Sequence, residues 1–141
     1  MKQFKHTLLF GVLLLLGMSS LSAADNTRFS GSLDAEFSSW GSDSVEGEWR
    51  IIQKEGKHFI QLLDSFDAKE GPDVKIFLSK QSQTSITGDN ATQNAVFISL
   101  VSSFEGSSEY EVPANIKVED FKTLVFHCEA YSKLWGTGKI Q

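Results

Sequence analysis

Short runs of alternating apolar and polar residues fill this chain, and turn residues break them every 8–12 positions or so. No stretch carries apolar residues at helical spacing over helix length, so long helices are excluded. Arg28 to Phe37 sets Phe29, Gly31, Leu33, Ala35 and Phe37 at period two, and Ser44 to Lys54 sets Val45, Gly47, Trp49 and Ile51 on one face. Glu55-Gly56 then reads as the turn of a hairpin whose return strand is His58 to Phe66. Asp67 to Asp73, with Gly71-Pro72 inside it, is a loop, and Val74 to Ser79 alternates again. Lys80 to Asn94 is polar and predicts a long surface loop. Ala95 to Ser102 is a nearly continuous apolar strand, and Glu109 to Pro113 enters a corner. Val118 to Phe121 is one short helical turn, and Lys122 to Tyr131 and Lys133 to Ile140 are the last strands. About seven or eight strands of this kind make an all-β domain, expected as an antiparallel β-sandwich with a partly closed β-barrel as the alternative.

The first 24 residues read as an address. Lys2, Lys5 and His6 precede the apolar run Leu8 to Met18, and Ser22-Ala23-Ala24 supplies the small residues of a cleavage site. The run is well short of the ~20 residues that span a bilayer. A signal peptide over 1–24, a single domain over 25–141, and an exported protein in the periplasm or outside the cell are the expectations. No membrane span is expected once the leader is removed.

Charge narrows the partners. All 18 acidic residues lie after position 24, together with 11 of the 13 basic ones, a balance of −7. Nucleic-acid binders show basic stripes, so nucleic acid is not expected as a partner. The chain has one cysteine, Cys128, which allows neither an internal disulfide nor a four-thiolate zinc site. In an oxidising compartment an unpaired thiol is a buried core residue, an intermolecular pair, a reactive thiol or a ligand.

Several spaced motifs belong together: Val45-x-Gly47, Leu63-Asp64-x-Phe66, Gly71-Pro72-Asp73-Val74-x-Ile76-x-Leu78-Ser79, Tyr110-x-Val112-Pro113 and Phe121-x-x-Leu124-Val125-Phe126-x-Cys128, closed by an aromatic and glycine-bearing strand. This set resembles the DM-thirteen domain, an extracellular β-rich family often described as "electron transfer DM", whose members also occur beside DOMON domains. The resemblance runs from about Phe29 to Ile140. It implies a β-sandwich with one characteristic cysteine, which maps to Cys128. It also implies a role in redox or electron transfer, through a bare thiol or a bound group such as haem. The chain departs from the pattern at His127, where the family usually has an aromatic residue, often Trp, and in the looser Gly136 to Ile140 segment.

Cys128 is therefore the candidate redox thiol or ligand. On a regular strand it shares a core face with Leu124, Phe126 and Ala130. His127 points the other way, onto a half-solvated face with Val125, Glu129 and Tyr131, so the two residues do not grip one metal. A noncovalent haem on Cys128 or, more weakly, on His127 stays open, although no C-x-x-C-H motif is present. Phe126, Tyr131 and Trp135 are expected to shield the thiol, and Tyr110 to Pro113 to shape the corner beside it. Asp64, Asp67, Glu70 and Asp73 lack the spacing of a calcium loop and read as a solvated turn. Trp49 is expected in the core, Trp40 in a loop as a contact residue, and His58 in solvent. Hydrolase, phosphoryl-transfer and dinucleotide motifs are missing. The partner is then a redox protein or an extracellular ligand. The runner-up reading is a binding or adhesion module whose cysteine only packs the core.

Overall fold

The structure is a computed structural model and describes residues 25–141; the expected leader, 1–24, lies outside the described residues. Ten strands form in chain order: β1 (Asn26–Asp34), β2 (Val45–Glu46), β3 (Glu48–Lys54), β4 (Lys57–Leu62), β5 (Asp67–Ala68), β6 (Val74–Ser79), β7 (Ala95–Leu100), β8 (Ser108–Glu111), β9 (Thr123–Cys128) and β10 (Lys133–Lys139). Eight of them make one antiparallel sheet in the order β7-β6-β9-β10-β1-β3-β4-β8, and β2 pairs with β5 apart from it. The all-β expectation holds.

The sheet curls because β1 serves both halves. It pairs with β3 along most of its length but with β10 only through Leu33–Gly138 and Asp34–Thr137. The terminal strands β7 and β8 then approach each other, and the Tyr110 hydroxyl bonds the Ser102 N–H (3.1 Å) and lies 3.0 Å from its hydroxyl, just beyond β7. The result is a nearly closed barrel whose two halves face each other like the layers of a sandwich. Trp49, Ile51, Ile60 and Leu62 from one half meet Ile76, Leu78, Leu124 and Phe126 from the other in a single core. That places Trp49 as expected.

Local chemistry sets the breaks between strands. Glu55 and Gly56 both take positive φ (52° and 75°), as a tight hairpin turn requires, and Lys54 pairs with Lys57 across it. Gly47 divides the expected Ser44–Lys54 strand into β2 and β3. Its φ is 109°, and a Cβ there would stand 2.5 Å from the Ser65 carbonyl oxygen.

The polar segment after β6 departs from expectation. It runs over the surface, yet it also roofs a second, smaller core on the outer face of β6, β9 and β10. Ile86 and Ala91 of this segment pack with Phe77, Val125 and Leu134. Polar bonds fix it in place: the Thr123 hydroxyl donates to the Gln81 carbonyl (2.8 Å), and the Gln83 amide donates to the Thr137 hydroxyl (2.9 Å). Strand β9 is consequently buried on both faces along its whole length.

Candidate functional site

Strand β9 delivers Cys128 as its last residue. The expected strand to Tyr131 is too long: Glu129–Tyr131 form a short 3₁₀ turn, closed by Ser132 at φ 50°. A long-range bond holds that turn, with the Ala130 N–H donating to Asp73 Oδ2 at 3.1 Å. Ala130 is exposed rather than part of the core face, and so is Glu129.

The thiol of Cys128 is fully buried and donates to the carbonyl oxygen of Pro72 at 2.9 Å. Pro72 itself is exposed. The buried sulfur thus bonds the backbone of a surface residue. Leu124 and Phe126 share its core, and Phe126 packs on Phe66 with ring centroids 5.9 Å apart. The segment over the thiol is latched by charge. Lys75 bridges Asp73 (3.1 Å) and Glu129, which follow Pro72 and Cys128 respectively. Its ammonium is held above the usual lysine range, first by the bond to Glu129 and then by Asp73.

Above that segment lies a groove of about 360 Å³ lined by Trp40, Lys69, Gly71, Pro72, Tyr131 and Trp135, among others. Trp135 reaches it because the β9–β10 register slips between Leu134 and Gly136, a bulge that re-aims the side chain. Its indole N–H donates to the Lys69 carbonyl (2.8 Å), and Gly71 rides against its ring, where a Cβ would stand 2.6 Å from Cζ2. Trp40 crosses Trp135 edge to face, with centroids 5.6 Å apart. Lys69 is taken by Asp43 at 2.7 Å, and that bond holds the Asp43 carboxyl below the usual range.

Of the residues expected around Cys128, Phe126 lies in its core, while Trp135 and Tyr131 line the groove outside the Pro72 segment. Trp135 is buried and Tyr131 is 65% exposed. Tyr110 is buried in the same core cluster as Cys128. Tyr110 closes the β7–β8 seam, and Pro113 is exposed in the turn after β8.

His127 does point away from Cys128, as the strand pattern requires, but its face is not half-solvated. It is 3% exposed beneath the 80–94 segment, beside Phe77 (centroids 6.3 Å apart). Its Nε2 lies 2.7 Å from the Gly88 carbonyl, so Nε2 carries the hydrogen and donates; Nδ1 is buried without a partner. His58 is half-buried rather than exposed, and its Nε2 also lacks a partner.

A haem iron needs an axial sulfur or nitrogen with an open direction. Neither candidate fits. The Cys128 sulfur is enclosed by core and the Pro72 carbonyl, and the free lone pair of His127, on Nδ1, is buried in the packing beside Phe77. Among the described residues no three His, Cys, Asp or Glu side chains gather as metal ligands. Nor, among the same residues, is any helix long and apolar enough to cross a membrane.

No curated protein and no solved structure matches the chain significantly. The family model described as Electron transfer DM13 matches residues 36–140, which takes in the groove, the Pro72 segment and Cys128. That match covers well over half of the 141 residues, and its description supports a general redox-associated role. The chain belongs to the Electron transfer DM13 family.

Proposed function

We propose that this is an exported redox domain whose reacting group is the Cys128 thiol, uncovered when the Gly71–Pro72 segment lifts. One observation carries the reading: the buried thiol donates to the carbonyl of Pro72, an exposed residue that also lines an open aromatic groove. The step is thiol–disulfide exchange. Cys128 loses its proton to solvent, and the thiolate attacks one sulfur of a partner's disulfide. A mixed disulfide forms, and the partner's other sulfur leaves as a thiolate. The chain holds no second cysteine, so resolution needs a thiol from outside it.

The test is the rate at which a thiol reagent labels Cys128 in the folded protein, followed through low urea and compared with the unfolded chain. Labelling that is slower than in the unfolded chain, yet insensitive to low urea, is the expected result, because lifting a short segment exposes little surface. Labelling that follows global unfolding throughout sinks the reading. The complete burial of the sulfur favours one other reading, a binding module in which Cys128 only packs. Under it, Cys128→Ala keeps all function and loses only stability.

A further inference from the structure

We propose that the groove walled by Trp40, Tyr131, Trp135 and Pro72 binds a neutral, electron-poor planar ring of the quinone class. The choice of a redox-active ring rests on the reading above; the geometry supplies the rest. Trp40 and Tyr131 are 51% and 65% exposed, high values for large aromatic side chains, and both line the groove with the edge-to-face Trp135. Aromatic faces are electron-rich, so a ring with an electron-poor face complements them. The volume, about 360 Å³, lies at the small end of ligand pockets and takes one ring or two fused rings.

Charge and hydrogen bonding weigh against phosphates, carboxylates and sugars. The indole N–H of Trp135 is spent on the Lys69 carbonyl, and the Lys69 ammonium on Asp43. Glu70 then leaves the mouth with a net negative charge, which repels phosphates and carboxylates. A sugar needs partners for several hydroxyls, and two of the groove's polar side-chain groups, the Trp135 N–H and the Lys69 ammonium, are already engaged. A neutral quinone asks for stacking surface and little else.

The experiment titrates duroquinone into the purified full chain while the three indole N–H resonances are followed by NMR. Duroquinone is fully methylated and offers thiols no open ring carbon, so binding is read without covalent addition. The Trp40 and Trp135 signals are expected to move together and saturate, while that of buried Trp49 stays. Trp40→Ala and Tyr131→Ala, both at exposed positions, are each expected to weaken binding about tenfold, and the reduced hydroquinone to bind about tenfold more weakly than the quinone. Shifts that do not saturate, affinity unchanged by Trp40→Ala, or equal affinity for the hydroquinone would overturn the proposal. Cys128→Ser is expected to bind duroquinone like the parent. Binding by a protein whose thiol never labels removes the thiol reading alone, and labelling without binding removes the groove alone.

Discussion

Replacing His127 tests whether the 80–94 segment is a packed roof or a hydrogen-bonded loop. The ring is 3% exposed and sits beside Phe77 on the outer face of β9. His127→Ala removes the whole ring and leaves a cavity. By analogy with buried aromatic truncations, scaled down for a smaller ring, it costs about 2–4 kcal/mol. His127→Phe keeps a ring and changes only the polar atoms. It gives up the bond to Gly88, about 1 kcal/mol, but Gly88 is half-buried, so water can take its carbonyl. It also removes the partnerless Nδ1, a buried group whose desolvation costs about 1–3 kcal/mol. The larger ring returns about 1 kcal/mol of strain. His127→Phe therefore stays within about 1 kcal/mol of the parent. The assay is urea unfolding with the slope checked for constancy. At a slope of about 1.5 kcal/mol/M, a loss of 3 kcal/mol moves the midpoint by about 2 M. The reasoning fails if the Phe variant loses as much as the Ala variant, which would mean that the Gly88 bond holds the segment. It fails equally if the Ala variant loses less than about 0.5 kcal/mol.

Gly136→Ala puts a Cβ 2.2 Å from Val45 Cγ1 and 2.8 Å from the Asp34 carbonyl oxygen, so thermal unfolding should report a loss above about 3 kcal/mol or no folded protein. Gly56→Ala, at φ 75° in open space, should cost only about 1 kcal/mol by the same measurement. Asp73→Asn weakens the latch to Lys75 while its side chain still tolerates φ 59°, and Cys128 labelling in the folded protein should quicken severalfold with little change in unfolding midpoint. The Asp43 carboxyl is held low by Lys69, so the pair's contribution is present above the ordinary aspartate range and lost as pH falls through the folded value. The difference in Tm between Asp43→Asn and the parent should accordingly shrink below about pH 4.

The parts of this fold written in local pattern were legible from the sequence. Val74–Ser79 is bounded as its alternation indicates, and Glu55-Gly56 turns the chain where two extended runs meet. The opposite facing of His127 and Cys128 follows from strand geometry alone. What failed was set by distant residues. Glu129-Ala130-Tyr131 continues the alternation of β9, yet the chain turns there because Asp73 bonds Ala130, far back in sequence. In the 80–94 segment only Ile86 and Ala91 carry the packing signal, too few for a periodicity to stand out. A better signal lay in β9 itself, whose run Thr123–Cys128 is apolar on both faces at Leu124, Val125 and Phe126, the mark of a strand covered twice. The groove had no local signature. It needs Gly71 against Trp135, a contact made possible by the bulge in β10.

The position of Cys128 reconciles its burial with the reactivity proposed for it. A thiol in mid-strand would open only with the sheet. This one ends its strand, and the cover over it is held by three hydrogen bonds, the thiol to Pro72, Ala130 to Asp73 and the Trp135 indole to Lys69, beside the Lys75–Asp73 ion pair. At about 0.5–1.5 kcal/mol for each of the three hydrogen bonds, lifting that cover costs roughly 1.5–4.5 kcal/mol. Domains of this size unfold globally at about 5–15 kcal/mol. Since 1.4 kcal/mol is a factor of ten, the cover slows the thiol by about 10–10³ relative to the open chain, whereas global unfolding as the sole route would slow it far more. Under the proposed exchange chemistry that spacing makes the Pro72 segment a gate: closed most of the time, it would keep a lone thiol from indiscriminate oxidation, and a partner gripping the groove rings beside it would bias it open.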